Sequence, residues 1–258
     1  MNKTITIAAY NRPDNLQLLV DSLFEQQADL DDWKLHIRID EGGDNFGDVL
    51  TVAEEVDFVD TEIHWADSNE GINSNTYWLM NHVFDREGAI YNLYLEDDLV
   101  LSPDALDVAN WYIENEARLL ALPGLDDIGA LCLCKLHSEI KDINAIDLLF
   151  SRNFAGWGFL MSNRQWWAYG KPAWTTSEVL FGYSGMWDNS VAKYIRRRSK
   201  RTYNLFPLLS RVTNTGREGT HFTPEKYDKR MAGHVYQQEH KSFDYQWGGW
   251  ESEPEAKS

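Results

Sequence analysis

Short apolar runs alternate with amphipathic segments along the first half of the chain. Each run has the length and the branched or aromatic residues of a buried strand, and the segments between them repeat apolar residues at helical spacing. This order predicts a mostly parallel sheet covered by helices, because parallel neighbours need a crossover connection. The predicted strands are Thr4–Ala9, Trp33–Ile39, Glu62–Trp65 and Tyr91–Leu95. The predicted helices start at a cap on Asp14, cover Phe46–Val56, and, after a loop that opens at Gly71, cover Thr76–Phe84.

The second half of the chain loses this rhythm. A helix over Asp104–Leu120 and a strand over Ile128–Leu133 are followed by a tryptophan-rich helix at Asn163–Tyr169. No internal repeat and no long linker separates the two halves. We therefore expect one α/β domain over residues 1–242, and a polar tail over residues 243–258.

The composition limits the classes of binding partner that the chain is expected to have. The chain has 258 residues, with 41 Asp and Glu against 24 Lys and Arg, and its formal charge of −17 disfavours nucleic acid and anionic membranes. A local basic patch could still override that repulsion. Cys132 and Cys134 are separated by a single residue on a predicted strand, a spacing that holds their side chains too far apart for a disulfide. The start MNKTITIAAY has no apolar signal region and no apolar run reaches membrane-spanning length, which predicts a cytoplasmic protein.

Three adjacent carboxylates follow the fourth predicted strand, at Glu96, Asp97 and Asp98. Neighbouring acids repel one another and are costly to desolvate, so a bound cation or a set of hydrogen-bond donors would stabilise them. A solvated acidic turn is the other interpretation. The chain has neither a dinucleotide fingerprint nor a phosphate-binding glycine loop. If it binds a nucleotide, a divalent cation held by Asp98 would supply the counter-charge, and Mg²⁺ or Mn²⁺ prefers such oxygen ligands.

Tryptophan is frequent, at 11 residues, and is concentrated in the second half of the chain. Large aromatic side chains are usually buried in the core. A minority on a concave surface would suit stacking against the apolar faces of sugar rings. Trp157 and Trp187 are the candidates for such contacts.

Several motifs resemble those of one enzyme class. ITIAAYNRPDNLQLLVDSL resembles the first strand, loop and helix of nucleotide-sugar glycosyltransferases with the GT-A fold. LYLEDDLVLSPD is similar to their acidic metal motif, in the EDD form of the N-acetylglucosaminyltransferase I family. The family's remaining segments appear in the same order, and the resemblance spans roughly Thr4–Asp228. These segments are Gly156-Trp157-Gly158, Trp187-Asp188-Asn189, and Ser210-Arg211 with Gly216-Arg217-Glu218-Gly219.

The resemblance assigns the donor side to the first half, about residues 1–103. It implies that Asp98 binds the metal and that Glu96 and Asp97 support the metal and the ribose or uracil. It further implies that Arg12 and Asp40 contact the nucleotide base. Taken alone, Arg12 before a proline could simply hold its loop.

The resemblance assigns catalysis and the acceptor to about residues 104–242. It makes Asp188 the catalytic base, although an acid in the first turn of a helix is also an ordinary stabilising feature. The loop from Gly216 through Arg217 to His221 would close over the diphosphate, with His221 reaching the diphosphate or the metal. Asn189 departs from the family, in which an acid is common, and the acceptor-side segments do not match.

Together these features predict a metal-dependent glycosyltransferase that moves a hexosyl or N-acetylhexosaminyl group from a nucleotide sugar, with UDP as the expected nucleotide, to a hydroxyl. Inversion at the anomeric carbon is implied by the resemblance alone. The acceptor could be a glycan, a protein, a small molecule or a hydroxylated nucleobase. Two alternatives stay open: a metal-dependent nucleotidyltransferase, and a carbohydrate-binding protein without turnover.

Overall fold

A computed structural model describes residues 2–26, 30, 32–135, 147–175, 186–217, 223–232, 234–238 and 245–250. The strands are β1 (Lys3–Ala9), β2 (Trp33–Ile39), β3 (Asp60–Trp65), β4 (Tyr91–Glu96), β5 (Leu99–Leu101), β6 (Asp127–Cys132), β7 (Asp147–Ser151), β8 (Phe159–Ser162), β9 (Thr202–Pro207), β10 (Val212–Asn214) and β11 (Gln246–Trp250). The α-helices are α1 (Pro13–Phe24), α2 (Phe46–Glu54), α3 (Gly71–Asn81), α4 (Ala105–Leu120), α5 (Asn163–Gln165), α6 (Lys171–Thr175), α7 (Trp187–Arg198) and α8 (Pro224–Met231). Two π-helical turns, His82–Arg86 and Trp166–Gly170, follow α3 and α5.

Within the described residues, nine strands form one mixed sheet in the order β11-β7-β9-β6-β8-β4-β1-β2-β3. The four strands β3, β2, β1 and β4 run parallel, β8 is antiparallel to both β4 and β6, and β9 is parallel to β6. A separate two-stranded ribbon pairs β5 with β10. The expected α/β fold, with a mostly parallel sheet flanked by helices in a single domain, is confirmed.

The central strands are apolar on both faces because helices cover both. Ile7 of β1 and Leu95 of β4 belong to a core that also contains buried residues of α1, α2 and α4. Their chain neighbours Ala8 and Tyr94 point to the other face, into a second core with residues of α3, the two π-helical turns, α6 and α7. This double burial explains why β1, β2 and β4 read as nearly continuous apolar runs in the sequence.

Three predicted boundaries differ from the structure. Helix α3 starts at Gly71 with a positive φ of 75°, where a loop was expected, because a carboxylate caps its first amides. Pro13 stands at the first turn of α1, so Asp14 lies inside the helix and is not its cap. The stretch assigned to the polar tail contributes β11, Gln246–Trp250, which pairs in parallel with β7. Strand β11 is the outermost strand of the sheet and pairs with β7 through its backbone, and its sequence has no alternating apolar pattern that would predict a strand.

Among the described residues, no helix combines the length and the apolar character needed to cross a lipid bilayer.

Candidate functional site

The carboxyl ends of three parallel strands meet at one edge of the sheet. Ala9 at the end of β1 lies beside Ile39 of β2, and Ala8 lies beside Glu96 of β4. The residues that follow these strands therefore project from the same edge. In open α/β sheets this edge is where ligands usually bind.

Arg12, Asp97 and Asp98 form a compact group at this edge, which we call the edge cluster. The Arg12 Nη1 donates to Asp98 Oδ2 at 2.7 Å, and its Nη2 donates to Asp97 Oδ1. The backbone amide of Tyr10 donates to Asp97 Oδ2 at 3.1 Å. Both carboxylates are buried, and one guanidinium pairs with both of them.

A segment from the second half of the chain covers the edge cluster. Asn214 Nδ2 donates to Asp98 Oδ1 at 2.9 Å, and the Thr215 amide donates to the Asp98 carbonyl at 2.7 Å. A Cβ on Gly216 would lie 2.1 Å from Asp98 Oδ2 and 2.9 Å from Arg12 Nη1, so only glycine fits there. The structure thus brings Gly216 against Asp98. No local signal in the sequence identified Asn214.

Burial and like charges shift the ionisation of this acidic stretch. Burial raises the pKa of Asp97 to about 6, although the Arg12 charge acts in the opposite direction. Burial also raises the pKa of Glu96 well above its usual range, and the charges of Asp98, Asp97 and Asp188 add to that rise. The Trp187 ring, next to Asp188 in the chain, packs on Tyr94 of β4 with a centroid distance of 5.4 Å, which links this end of the sheet to the second half of the chain.

Asp40 caps a helix at the same edge. Its Oδ1 accepts the amide of Glu70 and its Oδ2 accepts the amide of Gly71, both at 2.8 Å. The side chain is 3% exposed, so it anchors the start of α3. A contact between Asp40 and a nucleotide base stays a prediction.

A cavity of about 230 Å³ lies next to Asp188, in the second half of the chain. Asp188 stands in the first turn of α7, is half-buried, and accepts the amide of Asn189 at 2.6 Å. Burial raises its pKa, while the backbone amide of Asn189 and the charge of Arg230 lower it. The cavity is also lined by Lys135, Asn153, Gly156, Trp157, Phe206 and Arg230.

The two candidate tryptophans have different environments. Trp157 is partly exposed, lines the cavity, and has the Arg230 guanidinium 4.7 Å from its ring centroid. Trp187 is 1% exposed and stacks on Trp174 with a centroid distance of 5.1 Å. A side chain buried in this way cannot stack on a sugar, so the structure assigns Trp187 to the core.

Two further candidates came from the C-terminal motif. Arg217 makes two hydrogen bonds to Asp228 of α8, at 3.1 and 2.8 Å, and is largely exposed. His221 lies outside the described residues. The structure therefore shows Arg217 on an exposed ion pair, and its contact with a diphosphate stays a prediction.

The oxygen donors of the edge cluster suit a hard divalent cation. Each carboxylate oxygen of Asp98 accepts one hydrogen bond and keeps further acceptor capacity, and Glu96 and Asp97 are adjacent. Arg12 is the cation that these carboxylates hold in the structure. The residues present fit Mg²⁺ or Mn²⁺ chemically, provided that Arg12 shares the two carboxylates with the ion.

Comparisons with known proteins support the fold. No protein-family model and no curated protein matches the chain. Residues 1–349 of Staphylococcus aureus TarS in complex with UDP-GlcNAc match with a TM-score of 0.55 and 11% identity, over 90% of this chain and 64% of that one. TarS 1–349 in another crystal structure matches with a TM-score of 0.51 and 9% identity, over 80% and 60%.

This chain therefore spans less than two thirds of the TarS chains that it matches. A mannosyltransferase from Pyrobaculum calidifontis, in complex with GDP-Man and Mn²⁺, is less similar. Its TM-score is 0.48 and its identity 14%, over 81% of this chain and 57% of that one. At these identities the likeness concerns the fold alone. The mixed, mostly parallel sheet flanked by helices and the match to the TarS structures show that the chain has a GT-A-like fold.

Proposed function

We propose that this chain is a metal-dependent, inverting glycosyltransferase that uses a nucleotide sugar, with UDP as the favoured nucleotide, and a hydroxyl acceptor. One observation carries the proposal: the edge cluster at the carboxyl ends of the strands and a separate half-buried carboxylate, Asp188, which lines a cavity, are joined by the packing of Trp187 on Tyr94 of β4, with ring centroids 5.4 Å apart. Glycosyl transfer needs this division, with positive charge beside the leaving diphosphate and a base beside the acceptor. The TarS complex with UDP-GlcNAc supports a nucleotide-sugar donor.

The edge cluster would bind the donor. Asp98, supported by Asp97 and Glu96, would hold Mn²⁺ or Mg²⁺, and a bound cation stabilises negative charge on a leaving diphosphate. Arg12 can pair with phosphate oxygens by the same two-pronged geometry that it uses for carboxylates. Asp40 would act indirectly, by fixing the start of α3 beside the donor. Arg217 and His221 would belong to the loop that closes over the diphosphate.

Asp188 would remove the proton of the acceptor hydroxyl. The cavity beside it has room for part of an acceptor, and Trp157 offers a partly exposed aromatic face to a sugar ring. Burial raises the pKa of Asp188, and a higher pKa makes a carboxylate a stronger base than an ordinary aspartate. Lys135 and Arg230 line the same cavity and would attract polar or acidic groups of the acceptor.

The test follows slow donor hydrolysis and nucleotide binding. We expect the chain to release UDP from a UDP-sugar, to bind UDP more tightly with Mn²⁺, and to lose that metal enhancement in Asp98→Asn. Asp188→Asn should lower kcat about 10²–10⁴-fold and leave UDP affinity unchanged. Asp57→Asn, a change at an exposed turn carboxylate, is the matched control.

The alternatives give different products. Pyrophosphate released from a nucleoside triphosphate would indicate a nucleotidyltransferase, and sugar binding without any UDP release would indicate a carbohydrate-binding protein. Normal turnover by Asp188→Asn would remove its catalytic role, and UDP affinity that is equal with and without a chelator would remove the metal from the proposal.

A further inference from the structure

A second polar cluster lies on the face of the sheet, away from the edge cluster. His36 of β2 and Glu62 of β3 are direct neighbours in register, and His64 of β3 pairs with Arg38, two residues after His36, so the three side chains share one face. His82, the first residue of the π-helical turn after α3, packs over them. We call His36, Glu62, His64 and His82 the histidine cluster.

The ligand atoms of the histidine cluster already lie near coordination distance. One ligand atom from each of the four residues lies within 4.8 Å of every other. His36 Nδ1 and His64 Nε2 are 3.3 Å apart, and Glu62 carboxylate oxygens lie 3.6 Å from His64 Nε2 and 4.0 Å from His36 Nδ1. Two ligands of a tetrahedral Zn²⁺ ion, each at 2.0–2.1 Å, are about 3.3 Å apart. Small side-chain movements would complete the site.

Several ring nitrogens of the histidine cluster have no hydrogen-bond partner. His36 is fully buried and its Nε2 has no hydrogen-bond partner, and neither ring nitrogen of His82 has one, although His82 Nε2 lies 3.5 Å from Glu87 Oε1. Buried polar atoms normally find partners, because leaving them unpaired costs free energy. The His36 nitrogen that faces the cluster is Nδ1, which lies beside His64 Nε2 and Glu62, and imidazole nitrogens gathered beside a carboxylate in this way are what a metal ion would use.

The charge state also suits metal binding. Burial lowers the pKa of His36 to about 4, and it lowers the pKa values of His64 and His82 as well. The rings are therefore neutral near pH 7, which is the form that binds metals. Lys34 Nζ donates to Glu62 Oε2 at 2.8 Å and to Glu87 Oε2 at 3.1 Å, which orients Glu62 and offsets the lysine charge.

We propose that His36, His64, His82 and Glu62 bind a transition-metal ion of the Zn²⁺ type. Imidazole nitrogens favour Zn²⁺, Co²⁺ or Ni²⁺, whereas the carboxylate oxygens of the edge cluster favour Mg²⁺ or Mn²⁺. Four protein ligands would leave no open position, which is the arrangement of a structural site. The ion would fasten the strands β2 and β3 to the end of α3.

The test uses the full, untagged chain, freed of metal with a chelator, with Zn²⁺ or Co²⁺ alone as the probe. Calorimetry should show one tight Zn²⁺ site per chain, Co²⁺ should give the visible spectrum of a tetrahedral complex, and Zn²⁺ should raise the melting temperature. The double variant His64→Gln/His82→Gln should bind Zn²⁺ at least about tenfold more weakly and lose the other two signals. Circular dichroism without metal would verify that the variant is folded, and the single variant His64→Gln replaces it if it is not.

Two controls separate this site from other ligands. His234→Gln alters a histidine outside the histidine cluster, and Asp98→Asn alters the edge cluster, so both should keep the Zn²⁺ site. The proposal is overturned if the wild-type chain binds no Zn²⁺, if the folded cluster variant binds it with unchanged affinity, or if Asp98→Asn alone abolishes binding.

Discussion

The edge cluster and the histidine cluster lie on the same sheet but differ in charge and in hydrogen bonding. In the edge cluster, Arg12 faces two carboxylates, and every carboxylate oxygen of Asp97 and Asp98 accepts a hydrogen bond. In the histidine cluster the rings are neutral near pH 7, and the nitrogens of His36 and His82 include unpaired atoms. In the edge cluster, Arg12 offsets one of the two carboxylate charges. The histidine cluster has neutral imidazole nitrogens that are available as metal ligands.

The difference predicts how each cluster responds to change. Removing one partner from a paired, buried set leaves an uncompensated charge, which is costly. Removing one neutral ring leaves no charge behind, so the apo protein should tolerate it. An added cation should bind more readily to the histidine cluster, because its neutral imidazole nitrogens can act as metal ligands. In the edge cluster the ion must share the carboxylates with Arg12.

Arg12→Ala should have the largest effect. It removes the guanidinium that pairs with Asp97 and Asp98, and we expect the free energy of unfolding to fall by about 3 kcal/mol. Mn²⁺ should restore part of the loss, because an ion would replace the missing positive charge. Urea unfolding with and without Mn²⁺ measures both effects. Arg118→Ala, at an exposed position of α4, is the control, and an equal loss in the two variants would contradict the paired-charge interpretation.

Gly216→Ala tests the contact that covers the edge cluster. The added methyl would lie 2.1 Å from Asp98 Oδ2, so the segment must shift, at a cost of about 1–3 kcal/mol. UDP affinity should fall as well if the donor binds there. Gly47→Ala is the matched control, because a Cβ at Gly47 meets nothing within 4 Å and alanine favours the helix. Stability and UDP affinity that are the same in both variants would argue against the tight contact.

Asp188 is an intermediate case, because it is half-buried and held by a backbone amide. Its pKa is raised by burial, so the acidic limb of kcat should lie at higher pH than for an ordinary aspartate, and activity should fall as the pH drops through it. Arg230→Gln removes a charge that lowers this pKa, so the limb should move to higher pH. Profiles of kcat against pH measure the shift. Lys193→Gln, on the exposed side of α7, should leave the limb in place, and an unmoved limb in Arg230→Gln would exclude the interaction.

His64→Gln should have the smallest effect in the absence of metal. The change removes no charge, and we expect the free energy of unfolding to shift by less than about 1 kcal/mol. Urea unfolding of the metal-free protein tests this directly. A loss as large as that of Arg12→Ala would mean that the histidine cluster supports the apo fold, and the contrast between the two clusters would fail.

The sequence predicts most of the first half of the chain because the signals there are local. The strand β2 has the predicted bounds, Trp33–Ile39, and β1 and β4 each gain one residue. Because these strands are buried on both faces, each appears in the sequence as a run of apolar residues. Parallel strands then bring the residues after them to one edge, so the positions of Arg12 and Asp98 followed from chain order.

The sequence is less informative where a contact joins distant segments. Helix α3 starts at Gly71 because Asp40, on another strand, caps its amides. Trp187 belongs to the core because Trp174 stacks on it, although its motif suggested a substrate contact.

The sequence by itself determined the α/β class, the central strands and the acidic edge, because periodicity and composition are properties of neighbouring residues. The tertiary structure decided which charges are paired, which tryptophan is buried, and that His36, His64 and His82 converge. Those outcomes depend on strand register and on how helices pack on a face of the sheet. No periodicity in the chain encodes the distance between side chains that only folding brings together.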